Sequence, residues 1–583
     1  MPIAYAFEAK SIQGYILDGG KLRDMAGASA LVDGLCNYPE EGGEDLLGQA
    51  LKASGWSDAG IARRSGGAFI LIGSGTDGPR IAGFRRLWTL LVQTRVPGLA
   101  FVEATGQGDD EAAAIRAATL ALLPARSRLS AVMPATPPLA RRSPRTGTAA
   151  TAVWRPDGEL IDAATAVKRA NISSGGGGLT RKFAAPEGVE WPIRMDEEEE
   201  ADDRRGAVFP LLADNRYVAV VHADGNRLGE TLIGLQGMLA GAPDYAGHFL
   251  AFSQAVAAAT QRAAAAATAD MLERYRETLD PSAAVAVMPM RPILLGGDDL
   301  TVIVRGDLAI AFTVGFLEAF ARETGAAFDR LRADYPAMRD ALPKALSAGA
   351  GIAFTKASQP FHLAHDLAAS LADHAKSGAK EAAAAGQVPS SCLAFHRVTT
   401  ALIDDYGTVR ERELSGHLPV PAGAAVTHAI EATLNPYLVV PGEVDGPGFP
   451  KLSNLLELVD VLNKPEVSRG PLRRLVGLAR SDPAEGRRIY RRWREVMGNS
   501  TLRGYLDELD GTLSKLGCDP DTAAVREVRE NGHWMVEFAG SAASRSSLET
   551  RERSPLLDAL SVLAVARGGA AVVSDRPVGE VAA

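Results

Sequence analysis

The sequence predicts an α+β fold in which one βαββαβ unit occurs twice and a helical region follows, and three observations carry that expectation. Strand-type and helix-type patterns run in one order from Ile3 to Glu103 and return in the same order after residue 211. Short motifs at matching places look alike: FEAKSIQGYI from Phe7 against HADGNRLGET from His222, and GGAFILIG from Gly66 against GGDDLTVIV from Gly296. Beyond Asp405 the apolar residues take up a helical period.

Each element of the first copy has its own signal. Ile3 to Glu8 is a short apolar run of strand type. A helical stretch from Ser11 to Leu35 should break at Gly19-Gly20, because paired glycines disfavour a continuous helix. Ala62 to Gly73 reads as a hairpin turning at Ser65-Gly66-Gly67, with Phe69 to Ile72 as a buried strand. Ile81 to Val96 is helical and Leu99 to Glu103 is a strand. This order is the ferredoxin-like, or palm, arrangement, assigned to residues 1–140.

Residues 141–210 break the pattern. Pro144, Pro156, the tract Ser173-Ser174-Gly175-Gly176-Gly177-Gly178 and the acidic run Asp196 to Glu200 cannot bury a core of their own, so a connector or insert is expected. The second palm takes residues 211–400. Its strands are Tyr217–Ala223, Ala283–Leu295, Leu300–Arg305, Ser347–Thr355 and Ser391–Arg397, and its late helices are Leu308–Tyr335 and Phe361–Ala385. A helical domain over 401–583 is expected from Leu452–Leu462, Gly470–Arg480, Ala484–Met497 and Leu556–Ala566, the third opening with Asp482 as cap and Pro483 in the first turn.

Composition excludes several classes. The 583 residues are 46% hydrophobic, yet no apolar run is long enough to cross a bilayer. The chain enters a strand at once, so no signal peptide is expected. Cys36, Cys392 and Cys518 lie far apart without a CxxC pair, which offers neither disulfide framework nor zinc site and fits a reducing cytoplasm. A net charge of −9 argues against a surface that tracks nucleic acid throughout. The arginines from Arg473 to Arg494 read as a solvated face, or as a local surface for RNA or an acidic partner.

The chemistry lies in carboxylates. Nucleotidyl transfer needs two divalent ions roughly 4 Å apart, so acids must converge from separate elements. Asp224 ends a central strand, and Asp298 and Asp299 stand at a hairpin tip that a palm sheet places beside it. Mg2+ or Mn2+ would suit these oxygen ligands. Gly296 and Gly297 allow the turn and leave room for a nucleotide. Taken alone, the tetrapeptide reads as a solvated hairpin, and Asp224 as a helix N-cap. Gly225 and Asn226 stand where strand passes into helix, and N–H groups there bind phosphate. Lys376 and Lys380 share one helix face, either solvated or reaching a triphosphate, and the small residues Ser347 to Gly351 would let a nucleotide lie close. His222, His362, His365 and His374 read as packing or surface residues.

SIQGYILDGGKLRDMAGASALVDGL in the first palm, and HADGNRLG, LLGGDDLTVIV, SAGAGIAF and HAKSGAK in the second, resemble the large polymerase/cyclase subunit of type III CRISPR effector complexes, a relative of GGDEF and class III nucleotidyl cyclases. SRGPLRRLVGLARSDPAEGRRIYRRWREVM resembles that family's C-terminal helical domain. The resemblance implies cyclic oligoadenylate synthesis from ATP, switched on by target RNA in a multi-subunit complex with guide RNA. It implies Asp224, Asp298 and Asp299 as metal ligands and Lys376 as a triphosphate contact. Two departures accompany it. A palm beginning at residue 3 leaves no space for the HD nuclease domain the family often carries, and the His365-Asp366 pair falls within a palm helix. Arg142 to Gly147 resembles a zinc knuckle whose cysteine position holds Ser143, so no zinc is expected.

Two other functions fit the same residues: a cyclase making a cyclic dinucleotide from GTP, and a catalytically silent scaffold. The palms are expected to pack face to face, with the acceptor nucleotide against Gly66, Gly67 and the Ser11-Ile12-Gln13 turn. At that hairpin Phe69 replaces an acid, and Glu8 is the sole nearby carboxylate.

Overall fold

The computed structural model describes residues 1–37, 45–65, 67–127, 136–155, 158–172, 178–195, 206–213, 215–239, 242, 244–279, 285–383, 387–417, 427–442, 449–479, 481–498, 503–516, 536–538 and 549–566. The chain divides into two units, one of residues 1–211, 220–348 and 357–365, the other of 212–219, 349–356 and 366–583.

In the first unit the N-terminal palm forms as its pattern dictates. Strand β1 (Pro2–Lys10) leads into α1 (Ile12–Leu17) and α2 (Leu22–Cys36), which separate at the expected glycines. Next come α3 (Leu46–Ala53), the hairpin β2 (Gly60–Ser65) and β3 (Ala68–Ser74), α4 (Gly78–Arg95), β4 (Ala100–Gln107) and α5 (Glu111–Arg126). The sheet order is β2-β3-β1-β4, antiparallel throughout, with Phe7 opposite Phe69 and Glu8 opposite Ala68. Phe7 and Phe69 stack at 5.1 Å and meet the edge of Trp88, so one face of the sheet is closed by aromatic rings from α4.

The connector packs on the first palm. A short hairpin, β5 (Ala152–Trp154) and β6 (Glu159–Ile161), precedes α6 (Ala163–Ala170), which lies on α2. An ideal Cβ at Gly27 would fall 1.8 Å from the Lys168 carbonyl oxygen, so the glycine lets the two helices approach. The side chains of Arg169 and Asp24, both wholly buried, pair at 2.7 Å, and Glu159 accepts from the same guanidinium at 2.8 Å. The tract 173–177 and the run 196–200 lie outside the described residues.

The second palm opens with β7 (Tyr217–Gly225), α7 (Leu228–Met238) and α8 (Tyr245–Glu277). The hairpin follows as β8 (Met290–Gly296) and β9 (Asp299–Arg305), then α9 (Ala309–Asp334). The expected strand from Ala283 is shorter, since Val287 instead bridges Glu190 and Pro289 intervenes; Ala283 itself lies outside the described residues. Contacts between the copies are reciprocal. α2 lies on β8 while α8 lies on β2, the pattern that two-fold packing of like units produces. Ser29 Oγ donates to Ile293 O at 2.7 Å within this contact.

The second unit contains most of β10 (Ala348–Lys356) and of α10 (Phe361–Ala382), together with β11 (Ser391–Arg397), which runs parallel to β10. The short helix α11 (Tyr406–Val409), β12 (Ser415–His417), β13 (Thr427–Glu431) and β14 (Tyr437–Val440) follow. Strand order around β7, whose two ends fall in different units, is β14-β11-β10-β7-β9-β8. Helices α12 (Leu452–Asn463), α13 (Arg469–Ala479), α14 (Pro483–Gly498) and α15 (Arg503–Lys515) come next. Asp482 caps α14 as expected, accepting from Glu485 N at 3.0 Å. The purely helical expectation needs correcting here. β15 (Val536–Phe538) and β16 (Glu549–Arg553) join β12 and β13 in a four-stranded sheet before α16 (Leu556–Val565). These strands are short, and β16 is almost entirely polar, so no apolar period marks them.

Asp558 on α16 fixes this region. Its Oδ2 accepts from Tyr437 OH at 2.5 Å, Leu434 N at 2.8 Å and Thr433 Oγ1 at 3.1 Å. Burial raises its pKa to about 6, with the three donors acting in the opposite sense. A carboxyl whose folded pKa exceeds its unfolded value disfavours the fold once it ionises, so this contribution is lost as pH rises from about 4 to about 6. Asp558→Asn should therefore gain on the wild type by up to about 3 kcal/mol across that window. Asp558→Ala should lose at least about 3 kcal/mol by orphaning three donors. Urea unfolding at several pH values reads both.

Candidate active site

The second palm's acids are set by strand alternation and one tight turn. His222 and Asp224 are two apart on β7, hence on one face, and both are half-buried. Gly296 pairs with Asp299 across the hairpin, and Gly297 takes a φ of +63°, where a side chain would be strained. From α8, Thr260 Oγ1 donates to Gly297 O at 2.6 Å and fixes the turn.

Asp298 then lies against the end of β7. An ideal Cβ on Gly225 would stand 2.5 Å from Asp298 Oδ2, so this carboxylate occupies space that only glycine leaves free. Asp299 faces other partners. Its Oδ1 is 3.4 Å from His222 Nδ1, and its Oδ2 accepts from Gln13 Nε2 at 3.2 Å. His222 Nδ1 is also 3.1 Å from Thr301 Oγ1, and its ring meets that of His365 edge-on at 5.5 Å. His222 thus lies against the hairpin acids rather than serving only as a packing residue; its position two before Asp224 on one strand face is the signal that could have found it.

Arg63 on β2 is a second residue that sequence reasoning missed. Loss of solvation holds its guanidinium below the ordinary value, while the charges of Glu8 and Asp298 pull it back up. The first palm therefore brings a cation within electrostatic range of the second palm's hairpin.

Several expectations are corrected. Asp224 is not a helix cap, because Arg227, at φ +57°, holds that place. Asn226 does not offer a free N–H to phosphate. Its N–H donates to Ser347 O at 2.8 Å and its Nδ2 to Ser347 Oγ at 2.9 Å, and the residue is buried. Gly67, at φ +74°, has Ile12 Cδ1 only 2.6 Å from an ideal Cβ, so Ile12 packs directly on this glycine. Gly66 lies outside the described residues. In the same palm Glu8 is neutralised by Arg126 at 2.6 Å.

In the second unit the glycines of β10 serve α10 rather than a nucleotide. Ideal Cβ atoms on Gly349 and Gly351 would lie 2.3 Å from Lys376 Cγ and 2.0 Å from Ala368 O. Lys376 runs its stem across Gly349 and is half-buried, while Lys380 is exposed. On α14, Arg494 pairs with Asp510 at 2.5 Å, and Arg488 and Arg492 pair with Glu485 and Glu495 one helical turn away. The knuckle-like turn closes by Gly147 N to Ser143 O at 3.0 Å.

Among the described residues, no three His, Cys, Asp or Glu side chains come together closely enough to hold a metal ion as they stand. The donor set nonetheless fits magnesium or manganese in kind, since such ions bind through one or two carboxylates with phosphate and water. Asp298 lies against Gly225, the residue that follows Asp224.

A hairpin of paired aspartates beside a strand-end aspartate, in a sheet backed by helices, is the architecture of a nucleotidyl-cyclase palm. Residues 217–384 match the Cas10/Cmr2 second palm domain, and in that domain the chain is Cas10-like. Solved structures with similarity to it include Csm1 of T. onnurineus (14% identity, TM-score 0.47) and a Csm1–Csm4 cassette with cA4 (14%, 0.45), each over 97% of this chain and 70% of the other. A Csm1–Csm4 cassette with pppApA (15%, TM-score 0.38) aligns over 65% of this chain and 53% of its own. No curated protein matches the chain.

Gly351→Ala separates the two accounts of the small residues on β10. If the glycine serves helix packing, the variant should lose about 1–3 kcal/mol or more of stability through overpacking, read by chemical denaturation. Wild-type stability would overturn the packing account.

Proposed function

We propose that this chain is a metal-dependent nucleotidyltransferase that joins ATP units into cyclic oligoadenylate, as a Cas10-like subunit in a type III CRISPR-like defence. What supports this most is the match of residues 217–384 to the Cas10/Cmr2 second palm domain, with Asp298 against Gly225 and Asp299 beside His222 at the hairpin tip. The reaction would be attack of one ATP's 3′-hydroxyl on the α-phosphate of another, with pyrophosphate leaving. Mg2+ or Mn2+, held by Asp224, Asp298 and Asp299, would supply charge stabilisation and an activated hydroxyl.

The chain's own residues do the positioning. Gly296 and Gly297 shape the turn that presents Asp298, and Gly225 leaves the carboxylate its place. Lys376, with Lys380 one turn on, is proposed as a triphosphate contact on the strength of its motif. Other CRISPR subunits and guide or target RNA are proposed partners on the same resemblance. No helix among the described residues is long and apolar enough to cross a membrane, and a cytoplasmic setting is part of the proposal.

Incubation with each labelled nucleoside triphosphate and magnesium or manganese tests the reaction and its base preference. Asp298→Asn and Asp299→Asn should leave the fold intact, since both acids stand at the hairpin tip and are only partly buried. Each should lower product formation by at least about two orders of magnitude, because electrostatic stabilisation dominates this chemistry. Near-normal turnover in the double variant would remove the assignment.

A further inference from the structure

The first palm lacks the acids of a two-metal site, yet one of its side chains reaches the second palm's acids. We propose that Gln13 is a positioning residue for Asp299, so that the degenerate palm supplies part of the working palm's active site. This rests on the function proposed above and goes beyond it.

The geometry carries the argument. Gln13 Nε2 donates to Asp299 Oδ2 at 3.2 Å, between residues 286 positions apart, while His222 faces Oδ1 of the same carboxylate. The hydrogen bond from Gln13 restrains the carboxylate's rotation about χ2. An ionised carboxylate accepts about four hydrogen bonds, so a donor on Oδ2 leaves acceptor capacity for a further ligand. The chemical type of the donor matters too. A lysine or arginine here would neutralise Asp299, as Arg126 neutralises Glu8 in the first palm. A neutral amide orients the carboxylate and leaves its charge in place.

Gln13 is itself well fixed. It stands in the first turn of α1, whose cap Ser11 has a φ of +53°. Lys168 of the connector donates to Tyr15 O on the same helix at 2.6 Å and lies over the Tyr15 ring at 4.1 Å. Ile12, the neighbour of Gln13, packs on Gly67 of the adjoining hairpin. Docking of α2 on β8 then brings the turn opposite the second palm's hairpin. The turn assigned from sequence to an acceptor nucleotide thus also reaches the second palm's hairpin.

The test uses the full chain in four forms: wild type, Asp299→Asn, Gln13→Ala and Gln13→Met, the last keeping length and packing without the N–H donor. Mn2+ affinity is read by electron paramagnetic resonance titration, and ATP turnover is split into kcat and KM. Loss of a group that orients a metal-binding side chain typically costs 10–100-fold. Both Gln13 variants should therefore weaken Mn2+ binding by about 10-fold or more and lower kcat comparably, with KM for ATP held within about 2-fold and melting unchanged within about 2 °C. Gln13→Met with wild-type Mn2+ affinity would show that the amide only packs, and would overturn the proposal. If the wild type binds no Mn2+, or Asp299→Asn binds it as the wild type does, the active-site reading itself falls. If Asp299→Asn weakens binding and neither Gln13 variant does, that reading stands and the role of Gln13 falls.

Discussion

Asp298 lies where a β-carbon on Gly225 would have to be, and this close approach organises the second palm. A strand end and a hairpin tip can share one point only if one of them gives up its side chain. The turn must also be held, which Thr260 does through the carbonyl of Gly297. With Asp298 turned toward β7, Asp299 begins β9 and meets a different set of neighbours, His222 and Gln13. Two adjacent acids in sequence thereby acquire separate surroundings, one set by backbone proximity and the other by polar side chains from two copies of the fold.

The first palm shows what the same frame becomes without that constraint. Its strand-to-helix corner repeats the left-handed residue, Ser11 at φ +53° against Arg227 at φ +57°, and its hairpin repeats the left-handed glycine, Gly67 against Gly297. The backbone is kept while the chemistry is replaced. Ala68 lies opposite Glu8, Arg126 cancels the one acid, and Ile12 closes over the turn. Stacked Phe7 and Phe69 convert the strand pair into a packing surface. A palm so altered is suited to hold its partner copy, and the reciprocal contacts of α2 with β8 and α8 with β2 are the means.

Most of this frame is legible in the sequence, because it depends on period and on glycine. Both βαββαβ orders, the break between α1 and α2, and the hairpin of Asp298 and Asp299 follow from local pattern. What was not legible depends on contacts between segments far apart. His222 looked like a core residue because nothing local reveals Asp299 opposite it. Gln13 reads as part of a nucleotide-holding turn because nothing local reveals its contact with Asp299 in the other copy of the fold. The glycines of β10 were assigned to a nucleotide, since a sequence shows that space is needed and not what fills it; the filler is α10. The small sheet containing β16 escaped because Glu549 to Arg553 carries no apolar alternation and pairs with a strand more than a hundred residues earlier.

The connector shows how polar residues can do the work of a core. Its composition argued against independent folding, and α6 holds on to the first palm through charges that are themselves buried. Arg169 and Asp24 have no exposed side-chain surface, so removal of either would leave an uncompensated charge inside, at a cost of about 3–5 kcal/mol. Such a pair adds little net stability over an apolar contact of the same shape, but it tolerates only one register. Gly27 beneath the Lys168 carbonyl enforces the same register sterically. Helix α6 is thereby set against α2, and Lys168 against α1. The connector's helix is fixed by ion pairs, and it in turn fixes the helix from which Gln13 reaches Asp299.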